Sequence, residues 1–154
     1  MMSVYNAKII WNRSSGDSFT EQKYSRAHQW EFDGGVIVPA TASHHIVPLP
    51  FSKPENVDPE QAFIASLSSC HMLFFLDLAS RKKITIEQYV DKATGVLEKD
   101  EDNKMAMTVV TLNPVIIFSE DTLPDQEVIE HLHHKAHDLC FIANSVKTKV
   151  EINI

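Results

Sequence analysis

The chain has 154 residues, 44% of them hydrophobic, which is enough to build one buried core and is not the composition of a disordered protein. Its 21 acidic residues against 14 Lys and Arg give a net charge of −7, which opposes nucleic-acid binding because phosphate contacts need clustered cations. Arg81, Lys82 and Lys83 form the one basic run, and it falls where a helix should end and cations complement the last carbonyls. The start of the chain, MMSVYNAKII, lacks the basic and continuous apolar segments of a secretory leader. The longest uncharged apolar stretch, 62 to 76, is too short for a membrane span and is broken by Ser66, Ser68, Ser69 and His71. One cytoplasmic domain over residues 1–154 is the expectation, with no membrane and no nucleic-acid partner. In a reducing compartment the two cysteines, Cys70 and Cys140, are either inert core or reactive, and not a structural staple.

The first fifty residues read as strands joined by turns. YNAKIIW is β-rich, SSGD is a turn, HQWEF alternates, Asp33-Gly34-Gly35 is a hairpin turn, and VIVPATAS follows it. A loop studded with prolines runs from Pro48 to Pro54. Then comes the clearest helix start: Asp58 can cap, Pro59 suits the first helical position, Glu60 favours the positive end of the dipole, and Gln61 completes a box with the cap. A helix from Pro59 to about Ser80 is expected, apolar around most of its circumference and therefore enclosed on several sides. Two β runs, ITIEQYVDKATGVLEKD and KMAMTVVTLNPVIIF, joined by the acidic turn Asp100 to Asn103, read as a long antiparallel hairpin. A second helix begins near Pro124 and has Cys140 at or near its end. The closing VKTKVEINI alternates as a half-buried strand. The order β-β-β-α-β-β-α-β is an α+β arrangement.

Cys70 lies in mid-helix, so no helix start activates it, and any lowering of its pKa needs a nearby cation; apolar burial alone would raise that pKa and leave the thiol inert. A second cysteine in matching apolar surroundings, an arginine in the otherwise uncharged YSRAHQW, and the DPEQAF helix start argue against inertness.

The segment VDPEQAFIASLSSCHM resembles the first cysteine segment of the OsmC/Ohr family of organic hydroperoxide reductases, with Pro-Glu at a helix start and a cysteine ten residues after the Glu. AHDLCFIANSV is similar to the family's second cysteine segment, which also precedes a terminal strand. The resemblance covers about residues 20 to 154 and implies the OsmC-like fold in an intertwined homodimer. It also implies a thiol-dependent peroxidase that reduces organic hydroperoxides to alcohols. Carried onto this chain, Cys70 is the peroxidatic thiol, Cys140 the resolving thiol, Glu60 the helix-start acid and Arg26 the cationic partner, with Arg13 as a rival for that role. The thiolate attacks the distal peroxide oxygen, a sulfenic acid remains, and the resolving thiol closes a disulfide that an external dithiol reopens. In the family that donor is commonly a lipoylated protein. Ten helical residues separate Glu60 from Cys70, on the order of 15 Å along the axis. Glu60 therefore acts through Arg26 or on the thiol of another subunit. Family members often have Cys-Pro at the resolving position where this chain has Cys140-Phe141, a departure that bears on the resolving step.

Two other readings follow from the residues. His131, His133, His134 and His137 include the pairs 133/137 and 134/137, spaced to share a helix face, with Cys140 or His44 and His45 as a third ligand. No Glu stands between them as in the zinc-protease motif, and neither a metal nor another cofactor is expected. The non-enzymatic alternative is a dimer that binds an apolar ligand in a pocket lined by Phe63, Phe74 and Phe75. His71 points about 100° around the helix from Cys70, which suits a core or interface histidine better than a base.

Overall fold

Three short antiparallel strands open the chain in the computed structural model, which describes residues 1–154. They are β1 (Ala7–Ile10), β2 (His28–Phe32) and β3 (Ile37–Ala40), in that order across one sheet. The β2–β3 turn is the one expected at Asp33-Gly34-Gly35. Both glycines lie at positive φ, +90° and +85°, where a Cβ would be strained. Between β1 and β2, Trp11, Phe19 and Tyr24 gather with ring centroids 4.6–5.7 Å apart, and the Trp11 indole donates to the Ser25 carbonyl at 2.8 Å. These elements belong to the first of two compact units, Met1–Ala62.

The long helix α1 (Pro59–Arg81) starts as its sequence dictates. The Gln61 N–H donates to the Asp58 carboxylate at 2.8 Å while the Gln61 side chain accepts from the Asp58 N–H at 3.1 Å, a closed capping box. At the far end Lys83 takes the left-handed conformation (φ 63°), so that the Ile84 N–H reaches the Ala79 carbonyl and the Lys83 N–H the Ser80 carbonyl. That is a Schellman stop built without glycine. Length and composition alone would let α1 cross a membrane. Its apolar character is used instead against protein, because Leu67, His71, Phe75 and Ala79 form one fully buried stripe at four-residue spacing. In the single chain another face of α1 stays open, with Leu73 60% exposed.

The second unit, Phe63–Ile154, contains the rest. The expected hairpin is present, but each of its long strands is divided, giving β4 (Ile86–Asp91), β5 (Thr94–Lys99), β6 (Met105–Leu112) and β7 (Pro114–Phe118). β5 pairs with β6 and β4 with β7, both antiparallel, in separate sheets. The division lies where side chains take over the ladder's hydrogen bonds. The Asp91 carboxylate accepts from the Asn113 N–H at 2.7 Å and from the Ser68 hydroxyl at 2.5 Å, and the Asn113 amide donates to the Lys92 carbonyl at 3.0 Å. The closing strand β8 (Lys149–Ile152) joins β6 in parallel, with Val110 opposite Val150 and Leu112 opposite Ile152.

α2 (Gln126–Leu139) lays Leu132 and Ala136 against Phe75 and Ala79 of α1, and this cluster also takes in Ile86, Tyr89, Ile116 and Phe118 from the β4–β7 sheet. A second cluster packs Leu67 of α1 on Val110 and Leu112 of β6, with Val150 and Ile152 of β8 beside them. The α1 helix thus contributes to both cores of its unit. Phe75 is buried in the first cluster, with Phe74 packed against it, while Phe63 packs partly buried against the second, so the three aromatics are divided between two clusters and do not line one pocket as the alternative reading expected. The α+β class stands, with the strand count raised from six to eight.

A candidate dithiol site between the two helices

Cys70 sits halfway along α1 and Cys140 caps the C-terminal end of α2, its N–H donating to the His137 carbonyl at 3.1 Å. α1 and α2 share the Phe75–Ala79–Leu132–Ala136 cluster, and the two free thiols meet across this contact within hydrogen-bond reach. Cys140 is 1% exposed, whereas Cys70 is only half-buried. The expectation of a deeply buried Cys70 is corrected by the partly open face of α1 that it shares with Leu73.

Burial pushes the Cys140 thiol up to about 11. The neighbouring Cys70 thiol, as hydrogen-bond partner and as a second acidic group, adds to the rise. Backbone N–H groups pull in the other direction, among them that of Ala143, 3.4 Å from the sulfur. At neutral pH Cys140 is therefore held protonated. Cys140 has extended backbone, φ −65° and ψ 109°. A following proline would impose that conformation on it; here it is reached with Phe141 instead, and the exposed Phe141 ring packs edge-on against Phe74 at 5.0 Å. Leu73 and Phe74, three and four residues after Cys70, flank it on its own helix face, so the half-open thiol is bordered by hydrocarbon.

Arg26 and Glu60 belong to the first unit. The Arg26 guanidinium lies over the Tyr24 ring, 3.6 Å from its centroid, and donates from Nη1 to the carbonyls of Gln22 and Tyr24 at 2.9 and 2.6 Å. Both bonds use one nitrogen, so the rest of the fork remains available to an anion. The rival Arg13 is exposed and donates to the Ser14 and Asp17 carbonyls. Glu60 occupies the first turn of α1, and its Oε2 is enclosed without a hydrogen-bond partner. A buried carboxylate oxygen without a donor is costly, and an arginine would satisfy it.

The histidines divide differently from the metal reading. His133 turns into the core, 2% exposed, and bonds from Nδ1 to Nε2 of His71 at 3.0 Å, with the two rings parallel within 2°. His131 and His134 are exposed. His44 and His45 stack on each other in the first unit. No three His, Cys, Asp or Glu side chains are grouped to hold a metal ion. Four-residue spacing along one helix cannot reveal that a histidine bonds to a histidine of another helix. His71 was legible as a core or interface residue but its pairing with His133 was not.

A family model described as OsmC-like protein matches residues 52–154. Among solved structures, an OsmC-like protein of unknown function from Vibrio cholerae is 48% identical, with 99% of each chain covered and a TM-score of 0.98. An organic hydroperoxide resistance protein from Elizabethkingia anophelis shares 18% identity over 99% of this chain and 95% of that one, at a TM-score of 0.68. The organic hydroperoxide resistance protein OhrB of Bacillus subtilis shares 20% over 98% and 100%, at 0.60. At these lower identities the likeness is one of fold. No curated protein matches the chain. The two-helix, split-sheet architecture, the matched 103 residues from 52 to 154 and the near-superposition on the Vibrio protein agree: the chain belongs to the OsmC-like protein family.

Proposed function

We propose that the protein is a cytoplasmic, homodimeric, thiol-dependent peroxidase that reduces organic hydroperoxides to alcohols and works without a cofactor. The observation that carries this reading is the meeting of a half-exposed thiol and a buried thiol across the α1–α2 contact. The Cys70 thiolate attacks the distal peroxide oxygen, the O–O bond breaks, the alkoxide leaves as the alcohol after taking a proton, and Cys70 becomes a sulfenic acid. Oxidation removes the second acidic thiol that had opposed ionisation of Cys140. Cys140 then attacks the Cys70 sulfur, water leaves, and a Cys70–Cys140 disulfide remains for an external dithiol, such as a lipoylated protein, to reopen.

Arg26 is the permanent charge that favours the Cys70 thiolate, and Glu60 holds that guanidinium or serves the thiol of a second subunit. Organic peroxides are preferred because Leu73, Phe74 and Phe141 offer hydrocarbon to an alkyl group, which hydrogen peroxide cannot use. Consumption of cumene hydroperoxide in the presence of dihydrolipoamide tests the reading. Wild type should turn over and Cys70→Ser should not. Equal rates for the two proteins would refute the activity, and equal efficiency with hydrogen peroxide would refute the substrate class.

A further inference from the structure

Beyond the two sulfurs, the α1–α2 contact contains one directional link, the His71–His133 hydrogen bond. Everything else that joins the helices in the core is apolar: Phe75 and Ala79 against Leu132 and Ala136. Apolar packing tolerates small slides and rotations, whereas an imidazole pair at 3.0 Å with parallel rings fixes both. The link lies next to the thiols on each helix. His71 follows Cys70 directly, and His133 is seven residues, about two turns, before Cys140. Disulfide closure is demanding in geometry, because the Cα atoms must come within about 7 Å and the sulfurs must adopt a near-perpendicular dihedral. A register shift of one ångström would affect that step and leave attack on a small external molecule untouched.

We infer that His71 and His133 are positioning residues for disulfide closure: their hydrogen bond holds the helix register that brings Cys140 onto Cys70, and it does so while both imidazoles are neutral. This rests on the dithiol reading of the site. One ring donates and the other accepts, so a pair carrying two extra protons sets N–H against N–H and the bond is lost. A single added proton leaves a cation in a site sealed from water. The charged groups that act on the pair are His134 and His137 on α2, which disfavour that cation, and Asp91 on β4, which favours it. Asp91 is the one carboxylate among them, and it is already engaged by Ser68 and Asn113. His71 Nδ1 is buried without a partner, so a proton added there has no acceptor in hydrogen-bond reach. Burial holds both imidazoles well below their ordinary range, to about 4, so the link persists through mildly acid solution and is lost only near pH 4 and below.

Ellman's reagent tests the inference without any peroxide. The Cys70 thiolate displaces one thionitrobenzoate, and Cys140 then attacks the Cys70 sulfur and expels a second, so the second release reports closure alone. His133→Phe removes the link and keeps a ring in the core; His133→Asn places a non-titrating amide near the same position. The second release should be about tenfold slower in His133→Phe, with the first release unchanged, and should recover to within about threefold in His133→Asn. Fewer Cys140 thiolates at low pH slow every variant, so the ratio of wild type to His133→Asn is the acid readout. It should be constant above about pH 5.5 and fall as the pH passes below about 4. Closure in His133→Phe at the wild-type rate, no recovery in His133→Asn, or a ratio that does not change with pH would each overturn the inference. If His133→Phe does not fold, the pH ratio decides. Normal closure together with no peroxide turnover would refute the proposed activity and leave the positioning role intact.

Discussion

Acidification from about pH 7.5 to pH 5 should destabilise the fold through two imidazoles, His71 and His133. Each is held near 4 in the folded chain, chiefly because burial disfavours the cation and secondarily because other histidines surround it, against 6.5 when unfolded. The folded state therefore binds protons more weakly than the unfolded chain. Stability from these groups is complete above about pH 6.5 and is lost as the pH falls toward 4. At pH 5 an unfolded histidine is almost fully protonated and a folded one about one-tenth so, a difference of about 2 kcal/mol per imidazole. Discounted for solvent screening at the edge of the pair, the loss is about 1–2 kcal/mol each, or about 2–4 kcal/mol together. That is a large share of the 5–15 kcal/mol that typically holds a domain of this kind. Urea unfolding at constant ionic strength is the assay. With a slope of about 1.5–2 kcal/mol per molar, the midpoint should drop by about 1–3 M. The double variant His71→Gln/His133→Asn should show less than half of that drop, because it lacks the two buried imidazoles. An equal drop in the variant, or a wild-type midpoint that stays put, would refute the assignment.

Three further outcomes are expected. Gly95→Ala should cost about 1–3 kcal/mol by overpacking, since an added Cβ would lie 2.4 Å from the Met107 methyl and 2.7 Å from Ile64 Cδ1; an unchanged melting temperature would show that both side chains yield freely. Lys83→Gly should raise stability by about 0.5–1 kcal/mol, because the stop of α1 demands a left-handed residue; a loss in denaturant midpoint would contradict that reading of the helix end. In Cys70→Ser the remaining thiol, Cys140, should resist iodoacetamide at neutral pH, because burial, the largest cause of its raised pKa, remains; rapid labelling at pH 7.5 would show that it is neither sealed nor held protonated.

Much of this was readable from local chemistry. The start of α1 followed from Asp58 and Gln61, whose reciprocal hydrogen bonds need only four consecutive residues. The β2–β3 turn followed from two glycines that tolerate positive φ. The break in the hairpin was not readable, because it depends on Asp91 meeting Ser68 and Asn113, each 22 or 23 residues away in sequence. The cysteine pairing came from a resemblance of two segments, and the helix contact supplies its physical reason. Cys70 in an apolar run read as sealed, yet burial depends on which face of α1 meets protein, and the stripe through Leu67, His71, Phe75 and Ala79 passes beside it. The His71–His133 link lay deepest, since its two members are 62 residues apart and each spacing on its own helix suggested something else.

The central claim is that Cys70 and Cys140 act as one redox pair. Reduced protein mixed with one equivalent of cumene hydroperoxide, quenched with acid and read by peptide mass mapping, tests it directly. The account predicts a Cys70–Cys140 intramolecular disulfide in wild type and, in Cys140→Ser, a Cys70 sulfenic acid that dimedone traps. Two thiols still free after the peroxide is added, or oxidation confined to methionine, would contradict it.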